Sequence, residues 1–329
     1  MSKVAVIGAT TWGNTLASLL AVRGAMVSVW ARTESRASEL RKEGLSEGDS
    51  SERLSFTGNL EEALGAAEFV ICAVPAQRMR QNLRLSNPHL NPSVILVSAA
   101  KGLEAETGKR MSEVMADEVS SVSQDRICAL SGPNLSAEIK QGLPATSVIA
   151  GRDIEVARKV QGLLDSPEFT VFVSDDIIGV ELCGALKNVI ALGAGIMDGL
   201  DLGNNAKAAF ITLGWKDVVS LGIALGAKPD TFYGLAGLGD LIATGNSPLS
   251  RNHYVGYELG KGRPLSDIIS SMSQVAEGVD TAMAAHRLVS RVKLEAPIVN
   301  LVYSVLFESL PPAEISRRFK NGLKPESIA

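Results

Sequence analysis

Lys3-Val4-Ala5-Val6-Ile7-Gly8-Ala9-Thr10-Thr11-Trp12-Gly13-Asn14 is the stretch that decides the fold. Its apolar start reads as a short buried strand, and a helical pattern runs from Gly13 to Arg23. Between them lies a glycine-bounded turn, the setting of a dinucleotide fingerprint. Gly8 allows the tight turn, Gly13 allows close packing of helix on strand, and a pyrophosphate rests on the helix N-terminus. Thr10 stands where the middle glycine is usual. A side chain there is expected to force some rearrangement around the pyrophosphate.

Working outward, the next strand candidate, 26–31, ends at Arg32. This is close to where an acidic residue would bind the ribose 2′-hydroxyl of NAD. An arginine there suits a 2′-phosphate, or else pairs with Glu34 at the surface. Further strands are expected at 54–57, 68–73, 93–98, 126–130, 145–150 and near 169–173. Helices are expected at 33–42, 59–65, 76–84, 107–120, 133–141 and 153–164, and 43–53 reads as a polar surface loop. The alternation predicts a parallel sheet with helices on both faces. Ligands of such sheets bind beyond the carboxyl ends of strands. Pro75 and Lys101 each follow such an end and are candidates. Ser131-Gly132-Pro133-Asn134 opens a helix whose free backbone N–H groups can hold an oxygen-rich ligand, which adds Gly132 and Asn134.

After Ser174 the strand signal stops. Helical patterns follow at 176–199, 204–225, 250–260, 278–291 and 297–307, and the tail 317–329 is polar and expected to be loose. The fold class is therefore α/β: a Rossmann-type domain over 1–174, then an all-α domain over 175–329. From Ile177 to Met197 only two charges occur, Glu181 and Lys187. Burial disfavours the ammonium of Lys187 and moves it toward the range useful for proton transfer, and Asn188 adds a fixed hydrogen-bonding group. Gly234-Leu235-Ala236-Gly237-Leu238-Gly239-Asp240 is a glycine-rich turn ending in an acid, with Thr244 four residues on. Asp240 can orient the lysine and hold it charged. In Ser250-Arg251-Asn252 the serine is a good helix cap and the arginine's planar fork suits phosphate oxygens.

A net charge of −4 argues against nucleic acid as the main partner. The three cysteines sit in apolar runs without metal or disulfide spacing, so no metal is expected and a reducing, cytoplasmic setting is. The scattered histidines argue against a histidine proton relay. The apolar run 177–197 has membrane-spanning length, but its central polar residues make stable membrane insertion costly.

Taken together, these motifs resemble the bacterial NAD(P)-dependent glycerol-3-phosphate dehydrogenases. The resemblance rests on Gly8 to Gly13, Ser98-Ala99-Ala100-Lys101-Gly102-Leu103-Glu104, Ser131-Gly132-Pro133, Glu181 to Val189, Gly234 to Asp240, Ser250-Arg251-Asn252 and Glu277-Gly278-Val279. It implies a second domain like the helical domain of 6-phosphogluconate dehydrogenase. It also implies reversible reduction of dihydroxyacetone phosphate by NADPH or NADH to sn-glycerol 3-phosphate, a phospholipid precursor. By the resemblance Lys187 is the proton donor and acceptor, with Lys101 and Asp240 beside it. Lys101, Gly132, Asn134, Lys187, Asn188, Asp240, Thr244, Ser250, Arg251 and Asn252 surround the substrate. Gly8, Thr10, Thr11, Trp12, Gly13, Arg32, Pro75, Lys101, Ser136, Arg251, Val275 and Glu277 contact the nucleotide. Ala100, Asn134 and Ser136 depart from the usual Thr, Ser or Thr, and Ala. Packed helices in the second half are compatible with a homodimer. The rival readings are a ketopantoate reductase or other hydroxyacid dehydrogenase of this architecture, and a non-catalytic nucleotide-binding sensor.

Overall fold

The structure, a computed structural model, describes residues 1–43, 52–245, 250–272 and 274–321. Strand and helix alternate through the first half. The elements are β1 (Lys3–Ile7), α1 (Thr11–Val22), β2 (Met26–Trp30), α2 (Glu34–Glu43), β3 (Leu54–Thr57), α3 (Leu60–Leu64), β4 (Phe69–Cys72) and α4 (Ala76–Ser86). There follow β5 (Ile95–Ser98), α5 (Met111–Glu118), β6 (Ile127–Ser131), α6 (Ser136–Lys140), β7 (Ala145–Gly151), α7 (Ile154–Leu164) and β8 (Phe169–Ser174). The strands form one sheet in the order β3-β2-β1-β4-β5-β6-β7-β8. Alternate residues of β1 enter different cores: Val4 and Val6 join one apolar cluster, Ala5 and Ile7 another. A sheet covered on both faces explains why its strands read as continuous apolar runs.

One expectation needs correction. The sheet is not wholly parallel, because β7 runs antiparallel to β6, with Cys128 opposite Gly151 and Ser131 opposite Val148. A parallel return requires a crossover that travels the length of the sheet. The connector between them contains only the short α6, and the chain re-enters from the end it left.

The second half is helical: α8 (Ile177–Gly199), α9 (Gly203–Ala224), α10 (Asp240–Gly245), α11 (Arg251–Gly260), α12 (Leu265–Ser271), α13 (Glu277–Val292), α14 (Pro297–Phe307) and α15 (Ala313–Asn321). Short α10 and α12 have no counterpart in the sequence reading. The start of the tail expected to be loose is helical, as the first residues of 317–329 belong to α15. The rest of that tail, and most of the loop expected at 43–53, lie outside the described residues. Helix α8 is long and apolar enough to cross a membrane by length and composition, but 89% of its most apolar window is enclosed by the protein.

The chain divides into two compact units. The first comprises Met1–Lys101 and Lys109–Glu181, the second Gly102–Gly108 and the chain from Leu182 onward. The division within α8 falls seven residues after the boundary expected at 174/175, and the segment after Lys101 belongs with the helical unit. Arg287 of α13 explains that membership: its guanidinium donates to the carbonyls of Ala105 and Glu106, at 3.0 and 2.7 Å. The core of the helical unit gathers Val189, Leu192 and Ile196 of α8 with Phe210 of α9 and Ile298 and Val302 of α14.

Candidate active site

In the first unit the turn after β1 has the strained geometry that only glycine tolerates. Gly8 has φ +111°, and a Cβ there would lie 2.8 Å from the Ala73 carbonyl oxygen. Thr10 is not strained, for its backbone is extended at φ −84°, ψ 169°. Its hydroxyl caps α1 by accepting from Gly13 N at 3.0 Å and donates to the Ala73 carbonyl at 2.8 Å. Thr11 and Trp12 then occupy the first turn of α1, which carries no acidic residue to neutralise the positive end of the helix.

Arg32 is exposed and donates to Gln81 Oε1 at 3.0 Å. Its alternative partner, Glu34, is held instead by Arg41 at 2.5 Å and by Gly58 N at 2.8 Å. Pro75 precedes α4, and Ser136 is the first, half-buried residue of α6. Lys101 Nζ donates to the Gly132 carbonyl at 2.6 Å, which joins the loops after β5 and β6. Four enclosed polar atoms without a protein partner sit at the carboxyl ends of β1, β5 and β6: Trp12 Nε1, Ser98 Oγ, Ser131 Oγ and Asn134 Oδ1. Orphaned polar atoms, a glycine cradle and an uncompensated helix N-terminus together fit a phosphate-bearing dinucleotide.

In the second unit Lys187 projects from α8 into an enclosed site, 4% exposed. Its Nζ lies 2.7 Å from Asp240 Oδ1 and also bonds Thr244 Oγ1. Asp240 and Thr244 share one face of α10 because they are four residues apart. The glycine-rich segment before them is not an open turn. Leu235–Gly239 forms a single π-helical turn that runs directly into α10 and places Asp240 at its start. Asn188 Nδ2 bonds back to the Gly184 carbonyl at 3.4 Å, so it is fixed against its own helix.

Ser250 caps α11, its Oγ accepting from His253 N at 3.3 Å. Arg251 is exposed and donates to the Val275 carbonyl at 2.7 Å. Asn252 Oδ1 accepts from Gly278 N at 2.9 Å, next to Glu277. A Cβ on Gly278 would lie 2.8 Å from both the Asn188 carbonyl and Asn252 Oδ1. Helices α8, α11 and α13 thus meet at Asn188, Asn252 and Gly278. Further along, α8 and α11 touch main chain to main chain. A Cβ on Gly256 would stand 1.9 Å from the Leu192 carbonyl oxygen, and one on Gly195 would stand 2.1 Å from that of His253.

Several polar groups escaped the sequence reading. Glu181 was conspicuous as a charge in an apolar run, but its partners were not. Arg110 Nη1 reaches it at 2.6 Å and Ser112 N at 2.7 Å. Burial raises the Glu181 carboxyl pKa despite those contacts. Asp198 joins His253 Nε2 at 2.7 Å to Lys207 at 2.9 Å. Burial pushes that carboxyl up, but its hydrogen bonds with His253 and Lys207 outweigh it and lower its pKa. Asp217 accepts from the N–H groups of Ile298 and Val299, which start α14. Burial raises its pKa to about 6 against the pull of those two N–H groups. Nothing local in the sequence marks such long-range caps.

The comparisons with known proteins agree with this geometry. Residues 3–157 match the family model of the NAD-dependent glycerol-3-phosphate dehydrogenase N-terminus, and 176–317 match that of its C-terminus. A glycerol-3-phosphate dehydrogenase [NAD(P)+] of Dehalococcoides mccartyi is 52% identical, with 100% of this chain and 93% of the relative covered. One from Geobacter metallireducens is 45% identical over 94% of each. A solved glycerol-3-phosphate dehydrogenase from Coxiella burnetii superposes with a TM-score of 0.90 at 29% identity, covering 98% of this chain and 99% of that one.

Proposed function

The chain belongs to the NAD-dependent glycerol-3-phosphate dehydrogenase family, and we propose that Lys187 is the residue that moves the proton in its reaction. The protein is an NAD(P)-dependent oxidoreductase that interconverts dihydroxyacetone phosphate and sn-glycerol 3-phosphate. The observation that carries the proton assignment is the enclosed contact of Lys187 with Asp240 and Thr244. Asp240 keeps the ammonium charged and Thr244 fixes its direction. In reduction negative charge grows on the carbonyl oxygen, and a cationic Nζ both stabilises that charge and supplies the proton. In oxidation the neutral amine takes it back. Lys101, oriented by the Gly132 carbonyl, adds a second positive charge on the substrate.

The substrate phosphate is assigned to the tip of α11. With Oδ1 of Asn252 facing Gly278 N, its –NH2 points the other way. Arg251 supplies a planar fork, and the capped helix start adds main-chain donors. Gly8, Thr10, Thr11, Trp12 and Gly13 are assigned to the nucleotide phosphates, with Pro75, Ser136, Val275 and Glu277 as further contacts. When bound, the dihydronicotinamide supplies the hydride. Arg32 is assigned to the 2′-phosphate of NADPH. A cytoplasmic homodimer feeding phospholipid synthesis completes the proposal. For the compartment, the support is that the three buried cysteines form no disulfide, as suits a reducing setting.

The test is absorbance at the nicotinamide band with dihydroxyacetone phosphate and NADPH or NADH, with ketopantoate as the contrast. Oxidation with the phosphorylated ketone alone is expected. Turnover of ketopantoate but not of dihydroxyacetone phosphate would overturn the reading.

A further inference from the structure

The loop after β6 contains a hydroxyl–amide relay that the proposed proton transfer does not use. Ser147, in β7, is fully buried. Its Oγ lies 3.0 Å from the Ser131 carbonyl oxygen and 3.1 Å from Asn134 Nδ2. A carbonyl can only accept, so the single hydroxyl proton of Ser147 belongs to Ser131. Toward Asn134 the hydroxyl is then an acceptor only. The amide must present its –NH2 to Ser147, which leaves its carbonyl Oδ1 on the other side. That oxygen is enclosed and has no donor from the protein. An unpaired buried acceptor is costly, so a partner is called for. Gly132, two residues earlier, holds Lys101, which sets the relay in the loop that carries a candidate substrate contact.

We propose that Ser147 is a positioning residue that locks Asn134 as a pure acceptor, and that a neutral N–H or O–H donor of a bound ligand completes it. The inference rests on the dehydrogenase reading. A phosphate is excluded at this atom, because two acceptors repel. Two ligand groups have the required chemistry: the carboxamide –NH2 of the nicotinamide and the free hydroxyl of dihydroxyacetone phosphate.

The experiment pairs variants with ligands from which one donor is deleted. One arm measures calorimetric Kd for NADH and for its reduced 3-acetylpyridine analogue, in which a methyl ketone replaces the carboxamide. The other measures kcat/KM for dihydroxyacetone phosphate and for acetol phosphate, which lacks the hydroxyl. In the unmutated protein one arm should show a penalty of roughly tenfold, the scale of one unpaired buried group. Asn134→Ala should shrink that penalty to about twofold or less on the same scale. Asn134→Leu, close to asparagine in size, serves where the alanine variant does not fold. Ser147→Ala, which frees the amide to turn, should give an intermediate penalty in a variant that still folds. The arm that responds identifies the donor. If wild type is active and neither arm depends on Asn134, a buried water is the partner and the proposal fails. A full penalty retained in Ser147→Ala removes the positioning role. Absence of any activity on dihydroxyacetone phosphate would instead overturn the dehydrogenase reading beneath it.

Discussion

Lys187 Nζ and Asp240 Oδ1 are 2.7 Å apart, on different helices, with both side chains almost wholly enclosed. Such a pair is more costly to break than to keep, since removing one partner strands the other charge. Lys187→Met should therefore act twice. Turnover should fall by at least about 10³-fold, from lost proton transfer and lost alkoxide stabilisation. Stability should fall by roughly 3–5 kcal/mol, because the buried Asp240 carboxylate loses its cationic partner. Lys187→Met/Asp240→Asn should recover most of the stability and none of the turnover. A folded single variant retaining a tenth of wild-type turnover would rule out Lys187 as the proton donor.

Arg251 is exposed and donates to the Val275 carbonyl, so its removal leaves no buried charge in the free protein. Arg251→Ala should weaken binding of the phosphorylated substrate by about 2–5 kcal/mol. Added phosphite should raise turnover of unphosphorylated dihydroxyacetone in the parent protein and much less in the variant. A Michaelis constant close to the parent's would count against the phosphate role.

Arg32 is bound to Gln81 and not to Glu34. Replacing it should leave the local ion pair of Glu34 and Arg41 intact. Arg32→Glu should shift the ratio of kcat/KM values from NADPH toward NADH. An unchanged ratio, measured with both cofactors on one preparation, would exclude the 2′-phosphate role.

Asp217 gives a pH dependence with a defined sign. Its carboxyl pKa is raised from 3.8 to about 6 by burial. Between those values the folded state binds more protons than the unfolded one, so this group's contribution falls as pH rises through the window and is flat above it. The shift corresponds to about 3 kcal/mol at 1.36 kcal/mol per unit. Asp217→Asn retains a carbonyl oxygen for Ile298 N and should flatten the slope. Urea unfolding at a series of pH values checks this, and an undiminished slope in the variant would assign it to other groups.

Gly256→Ala should destabilise the helical unit by roughly 1–3 kcal/mol or more, since its Cβ would meet a main-chain oxygen that cannot swing aside. A thermal midpoint equal to that of the parent would mean that α11 can shift without cost.

Much of the fold was legible because local and tertiary demands coincide. The apolar runs of β1, β4 and β5 must be buried on both sheet faces, and the strand–turn–helix at Gly8 admits few other readings. The direction of β7 was not legible, because alternation looks the same in either direction. The segment after Lys101 was assigned to the first domain since nothing in its sequence announces Arg287, well over a hundred residues away. Lys187 stood out as a lone cation in an apolar helix, and Asp240 as the end of a glycine-rich run. Thr10 was read as a defect in a fingerprint, although an extended backbone lets threonine serve there as a helix cap. Ser147 was passed over as one polar residue in a strand; its significance depends on where its single proton goes.

The glycine contact between α8 and α11 has a consequence for engineering. Side-chain interfaces yield to repacking, and a helix can slide when bulky residues are trimmed. Here two main chains already touch, so nothing can be trimmed further. Attempts to fit a larger phosphorylated ketone by pushing α11 outward would have to break that contact before gaining any room. If the substrate phosphate binds at the α11 tip as proposed, the productive library is confined to side chains there and on the segment facing it, such as positions 251 and 275. Gly195 and Gly256 belong in the fixed frame.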